Sequence, residues 1–215
     1  PESEKARYTG KVLDPAKAKE LIDRQAAYIK SKGALIRIDG YLGLPARGVP
    51  IPPTPAQWLY TIEGANIAGM QQVLSFSRAA VEGELPKGSG EAGARKPFEP
   101  VLRVVYTPDF FPEGMPGRQS VLVDLENYTT YVMGPDYFGE SKKGALRMLC
   151  KYVYDHGGLV LHAGAKDVTV GGRRLTMAIM GESGTGKTTT TFSKQGEVAR
   201  PIQDDMISLW PGGKI

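Results

Sequence analysis

Apolar residues at Ala18, Leu21, Ile22, Ala26 and Ile29 recur at helical spacing and predict an amphipathic helix. Asp14 supplies its cap, Pro15 its first residue and Gly33 its stop. Ala34 to Ile38 predicts a strand that closes at Asp39-Gly40. Prolines from Pro45 to Pro55 predict an irregular loop. A strand near Trp58 to Ile62 and a helix from Asn66 to about Val81 follow. Gly83 to Pro100, with Gly88-Ser89-Gly90 at its middle, predicts a long mobile loop. Val101 to Tyr106, Ser120 to Leu125 and Thr129 to Met133 predict strands, the last two paired as a hairpin across Glu126-Asn127-Tyr128.

The last third is denser. Glu140 to about Asp155 predicts a helix with Ala145, Met148, Leu149 and Val153 inward, stopped by Gly157-Gly158. Leu159 to His162 reads as a short buried strand that His162 closes. Val168 to Met180 reads as a hairpin turning at Gly171-Gly172, its second limb Leu175 to Met180 buried. Lys187 to Phe192 can start a helix, and a strand near Val198 to Gln203 ends in Asp204-Asp205. There are no internal repeats. The order of elements predicts an α/β fold, and the change of texture near Tyr106 predicts two lobes, residues 1–106 and 107–215. The Pro211-Gly212-Gly213 turn leads toward a further strand, so the second lobe reads as truncated at its C-terminus.

Composition narrows the classes. With 41% hydrophobic and 23% charged residues in 215, the chain has the balance of a soluble globular protein. It has no apolar run of membrane-spanning length and no secretory leader at Pro1-Glu2-Ser3-Glu4-Lys5. Cys150 is the single cysteine, which rules out an internal disulfide and a cysteine-based metal site and favours the cytoplasm. A net charge of +4, scattered rather than clustered, gives no sign of a nucleic-acid partner.

The chemistry gathers around Gly181-Glu182-Ser183-Gly184-Thr185-Gly186-Lys187-Thr188, followed by Thr189. Gly, four residues and Gly-Lys-Thr form a phosphate-binding loop. Its backbone N–H groups cradle a phosphate, its Lys reaches the outer phosphates and its Thr hydroxyl holds Mg²⁺. The strand before it and the helix after it are the context this mechanism requires. Asp204-Asp205, starting seventeen residues after Lys187, is an acidic pair at a strand end, where a metal ion beside such a loop is held. His162 is a candidate metal ligand facing the phosphates, or a structural histidine. His156 reads as a charge at a helix C-terminus. Lys142 and Lys143, at a helix start, oppose the helix dipole; they read as solvated lysines by default, or as a sign of a nearby anion or metal.

Taken in order and spacing, Tyr137-Phe138-Gly139-Glu140-Ser141-Lys142-Lys143-Gly144, Leu161-His162, the phosphate loop and Asp204-Asp205 resemble the phosphoenolpyruvate carboxykinases. The ATP-dependent branch is the nearest, with this chain as an outlying member or a fragment. The resemblance implies an N-terminal α/β lobe followed by the start of a P-loop lobe with a mixed sheet. It implies ATP, Mg²⁺ and Mn²⁺ as cofactors. Lys143, His162 and Asp205 would ligate Mn²⁺, with Asp204 beside them, and Lys143 would be neutral through partial burial and the ion's charge. Tyr137 would contact oxaloacetate or CO₂, and Arg47 the substrate. Ser183, Gly184, Gly186 and Lys187 would cradle the phosphates, and Thr188 would hold Mg²⁺. The implied reaction converts oxaloacetate and ATP to phosphoenolpyruvate, ADP and CO₂, with a nucleotide and a small carboxylic acid as partners.

Departures from the family pattern are local. Gly43-Leu44-Pro45-Ala46-Arg47-Gly48-Val49-Pro50 stands where the family has Thr-Gly-Arg-Ser-Pro-Lys-Asp, and Met206-Ile207-Ser208 stands where it has Glu-His-Gly. Glu182 occupies a position at which leucine is common. These changes leave two alternatives open. One is a kinase on the same core, such as an HPr-kinase-like or small-molecule kinase; the other, a non-catalytic nucleotide-binding module, would be marked by loss of Lys187 or Asp205, and both are present.

Overall fold

The computed structural model describes residues 12–43, 50–83, 96–182, 184–193 and 198–215. They form a mixed α/β protein of two compact units, Pro1–Gly43 with Pro55–Met148 and Leu44–Thr54 with Leu149–Ile215. Arg47, Ser183 and most of the long glycine-rich loop lie outside the described residues.

The first unit is built on a six-stranded sheet in the order β3 (Phe76–Ser77), β1 (Leu35–Leu42), β2 (Thr54–Thr61), β4 (Leu102–Thr107), β6 (Thr129–Met133) and β5 (Ser120–Asp124). β2, β4 and β6 run parallel, and β5 and β3 close the edges antiparallel. The parallel strands are covered on both faces, as parallel strands require. Trp58, Tyr60, Val104, Tyr106 and Val132 are fully buried. On their side lies α4 (Phe138–Asp155), where Tyr60 and Ser141 share a 2.7 Å hydrogen bond and the Thr130 hydroxyl donates to the Gly144 carbonyl at 3.0 Å.

On the other face lies α1 (Pro15–Lys30), capped by Asp14, which accepts from the Ala16 and Lys17 amides. The sequence places Ala26 on its buried stripe, but Ala26 is exposed and Gln25 is buried instead. The Gln25 amide donates to Thr107 Oγ1 at 2.9 Å and to the Val132 carbonyl at 3.1 Å, so the sheet satisfies its NH2 group, while its Oε1 is buried without a hydrogen-bond partner among the described residues.

Two further boundaries differ from expectation. β1 runs on through Asp39-Gly40 because Gly40 and Tyr41 pair with Ser77 and Phe76. The same pairing splits the helix expected from Asn66 to Val81 into α2 (Ala65–Leu74) and α3 (Arg78–Glu82). At the break the Ser75 hydroxyl donates to the Gln71 carbonyl, and Ser77 Oγ caps α3 by accepting from the Ala80 amide.

The second unit centres on β7 (Leu159–Val170), antiparallel to β8 (Arg173–Met180), β9 (Val198–Gln203) and β10 (Met206–Leu209). β7 continues eight residues beyond His162, so His162 stands within a strand and does not close one. Ala163, Gly164 and Ala165, beyond the expected end of the strand, are buried strand residues, and the small size of Gly164 admits a close neighbour. β8 is a strand as expected, but it is largely exposed. Among the described residues it is paired on one edge only, and the short α5 (Lys187–Phe192) covers little of it.

Candidate nucleotide and metal site

The site begins where β8 ends. After Met180 the chain turns through the phosphate loop into α5. Gly184 and Gly186 hold φ of +82° and +87°, a conformation open to glycine and strained for other residues. Gly181 is needed for a different reason, since a Cβ there would lie 2.5 Å from Thr185 Oγ1. Thr185 pins the loop by donating from its hydroxyl to the Glu182 carbonyl at 2.7 Å. Lys187 folds back across the loop, donating from Nζ to the carbonyls of Gly181 at 2.8 Å and Glu182 at 3.0 Å. Thr188 and Thr189 are exposed on the first turn of α5. The loop thus presents an ammonium, two hydroxyls and glycine backbone at one surface, the donor set that a polyphosphate needs.

β7 carries the second half of the site. His162, Gly164 and Lys166 alternate along the strand and share the face on which α5 lies. Gly164 meets the helix at Thr191, and Lys166 reaches the carbonyl of Thr190 at 2.6 Å. α5 therefore descends alongside β7 in the same direction, with its first turn toward His162 and its last toward Lys166. β10 pairs Met206 with His162, and the Ala163 amide donates to the Asp205 carbonyl at 3.0 Å. This register brings His162 Nε2 to 3.3 Å from Asp205 Oδ1, with the two side chains 64% and 44% exposed. Two donors of one octahedral ion with ligand bonds of ~2.1 Å sit about 3 Å apart, so this pair fits a divalent metal. Asp204 and Asp205 are held in their turn by Gln203, whose Oε1 accepts from both amides at 2.8 and 3.2 Å. Among the described residues no cluster of three His, Cys, Asp or Glu side chains is assembled.

Tyr137 and Lys143 belong to the first unit. Tyr137 follows β6 and is 59% exposed, with its ring laid against Gly139. It borders a cavity of about 340 Å³ lined also by Gln119, Ser120, Pro135 and Glu140. α4 starts at Phe138, two residues before the expected start, which moves Lys142 and Lys143 out of the first turn while Glu140 stays in it. The expected conflict with the helix dipole is absent, because the dipole acts mainly on the terminal turn. Lys143 is exposed, not partly buried as the resemblance implies. His156 lies just past the last turn of α4, its Nδ1 2.7 Å from the Tyr152 carbonyl.

A model of the phosphoenolpyruvate carboxykinase family, in its ATP form, matches residues 89–212, more than half of the chain. The chain belongs to the phosphoenolpyruvate carboxykinase family. Two curated proteins named phosphoenolpyruvate carboxykinase (ATP) are similar to it. The one from Aeropyrum pernix is 36% identical over 136 residues, which is 53% of this chain and 28% of that protein. The one from Dictyostelium discoideum is 29% identical over 111 residues, 49% of this chain and 19% of that protein. The chain thus matches only about a quarter of the length of these carboxykinases. Tyr137, Lys143, His162, the loop and Asp204-Asp205 all fall within the stretch that the family model matches, and Arg47 falls outside it.

Lys166, Gly164 and Gln203 are site-supporting residues that the sequence reading did not single out. The signal for the first two was present: His162-x-Gly164-x-Lys166 is the period-2 pattern of one strand face.

Proposed function

We propose that this chain carries the phosphate- and metal-binding machinery of an ATP- and divalent-metal-dependent phosphoenolpyruvate carboxykinase. The whole reaction takes oxaloacetate and ATP to phosphoenolpyruvate, ADP and CO₂. The observation that supports this reading is the His162–Asp205 pair on a strand, β7, against which the helix that follows the phosphate loop packs. In the reaction oxaloacetate loses CO₂ to leave an enolate, whose oxygen takes the γ-phosphoryl group as the bond to ADP breaks. Ser183, Gly184 and Gly186 hold the phosphates through backbone N–H groups, with Glu182, Thr185 and Thr189 shaping the loop around them. Lys187 neutralises charge on the transferring group, and Thr188 orients the Mg²⁺-bound nucleotide. His162 and Asp205 hold Mn²⁺, Asp204 adds negative charge beside them, and the bound ion supplies Lewis-acid stabilisation of the enolate charge.

The family resemblance, rather than a distance within one unit, supports the remaining roles. Lys143 is the further metal ligand, neutral under the ion's charge. Tyr137 contacts the carboxylic acid or the departing CO₂, and Arg47 binds the substrate carboxylate. On this reading residues 107–215 serve as the nucleotide and metal lobe and follow, in the chain, an N-terminal lobe of residues 1–106. The setting is cytoplasmic, in keeping with a lone cysteine. No helix of the described residues is long and apolar enough to cross a membrane.

Lys187→Ala tests the phosphate-loop assignment. Titration calorimetry on the intact protein is expected to show loss of Mg-ATP binding, and unchanged binding would refute the assignment.

A further inference from the structure

Lys166 is a lysine inside the protein, 3% exposed, on the strand that carries His162. Its Nζ donates to the Thr190 carbonyl at 2.6 Å and reaches the Ser193 carbonyl at 3.5 Å. Thr190 belongs to the last turn of α5 and Ser193 is its C-cap; the Thr190 carbonyl, free of a partner within the helix, also accepts from the Ser193 hydroxyl at 2.9 Å. A cation there also meets the negative end of the helix dipole. Charged residues are rarely this buried, so the placement calls for a reason.

The geometry supplies one. α5 has six residues, too few to be stable without tertiary contacts, and its start is the phosphate loop with Lys187 and Thr188. Among the described residues, two features join it to β7 on the His162 face. Gly164 fixes how closely it approaches, because a Cβ there would come 2.0 Å from Thr191 Oγ1. Thr191 is itself held by donating to the Lys187 carbonyl at 2.9 Å. Contact at Gly164 sets the separation of helix and strand, and Lys166 adds a grip at the far end that resists sliding along the helix axis.

We infer that Lys166 is a positioning residue, which sets the axial height of the phosphate-loop helix against the strand bearing His162. It therefore fixes the spacing between the nucleotide half and the metal half of the site. This rests on the phosphate-loop reading above, and its failure can be told from the failure of that reading. A lysine that merely filled space would affect folding alone; a positioning lysine affects ligand binding in protein that is fully folded.

The test uses the intact protein as wild type, Lys166→Met, Lys166→Gln, Lys166→Arg and Lys187→Ala. Each is measured for Mg-ATP affinity by calorimetry and for Tm by calorimetric scan. Lys166→Met, and Lys166→Gln should Lys166→Met not fold, is expected to bind Mg-ATP about tenfold more weakly at a temperature well below its Tm. Lys166→Arg, which keeps a cation and donors for the same carbonyls, is expected to restore affinity to within about threefold of wild type. Wild-type affinity in a folded Met or Gln variant, with Lys187→Ala still inactive in binding, overturns the inference and leaves the phosphate loop standing. Equal losses in the Met and Arg variants also overturn it, as does wild-type protein that binds no Mg-ATP, which removes the phosphate loop as well.

Discussion

His162 owes its chemistry to where its neighbours are placed. The strand register sets Asp205 beside it, and Gln203 holds the Asp204-Asp205 turn in the conformation that keeps the carboxylate there. The imidazole and carboxylate form a contact weakened by solvent, since both are well exposed, so the pair adds little to folding. His162→Ala is therefore expected to leave Tm nearly unchanged while weakening Mn²⁺ binding far more than ATP binding, measured by Mn²⁺ electron spin resonance and by calorimetry on the intact protein. Equal losses for both ligands would make His162 a structural residue. At this scale the sequence was most informative where a residue's chemistry is local. The Gly-x₄-Gly-Lys-Thr spacing dictates a loop from its own glycines, and Asp14-Pro15 dictates a helix start from its own cap. It was least informative for Gln25 and Lys166. Each is a polar residue buried by partners far away in the chain, which no local pattern announces.

Elements are joined by a polar knot in the first unit that carries no assigned chemistry. Asp109, just past β4, accepts from Lys32 at 2.7 Å, from Thr61 at the end of β2 at 2.7 Å and from Tyr28 of α1. Lys32 also reaches Glu63 at 2.8 Å, and these two acids raise its pKa. Burial pushes the Asp109 carboxyl upward, but the hydrogen bonds from Lys32, Tyr28 and Thr61 outweigh it and hold the pKa at about 2. A carboxylate with a depressed folded pKa contributes stability in full above its unfolded value of about 3.9, and that contribution is lost as pH falls toward about 2. The Tm of the protein is thus expected to fall between pH 4 and pH 2, and Asp109→Asn to be less stable at pH 6 but less sensitive over that range. Parallel Tm curves for the two proteins below pH 4 would contradict the role given to Asp109. Element boundaries followed the same rule as single residues. Thr129–Met133 was legible to the residue, whereas the break at Ser75 was not, because it depends on pairing between Phe76-Ser77 and Gly40-Tyr41.

At the scale of the molecule, each unit keeps its candidate chemistry on a rigid frame. In the first, β2, β4 and β6 run parallel between α1 and α4, and Tyr137 lies beyond the carboxyl end of β6, the end of such sheets at which ligands bind. In the second, one sheet face carries His162, its partner Asp205 just before β10, and the helix that follows the phosphate loop. The family was legible from motifs that lie in loops and at strand ends. The continuity of β7, which joins the histidine to the helix anchor, emerged only from its antiparallel register with β8 and β9. The central claim is the reaction, and it is tested by incubating the intact protein with oxaloacetate, ATP and Mn²⁺ and following products by mass spectrometry. Phosphoenolpyruvate and ADP appearing together, and neither appearing with Lys187→Ala, is the predicted result. ADP without phosphoenolpyruvate, or bound ATP with no turnover, would contradict the carboxykinase reading and assign the phosphoryl machinery to a different acceptor.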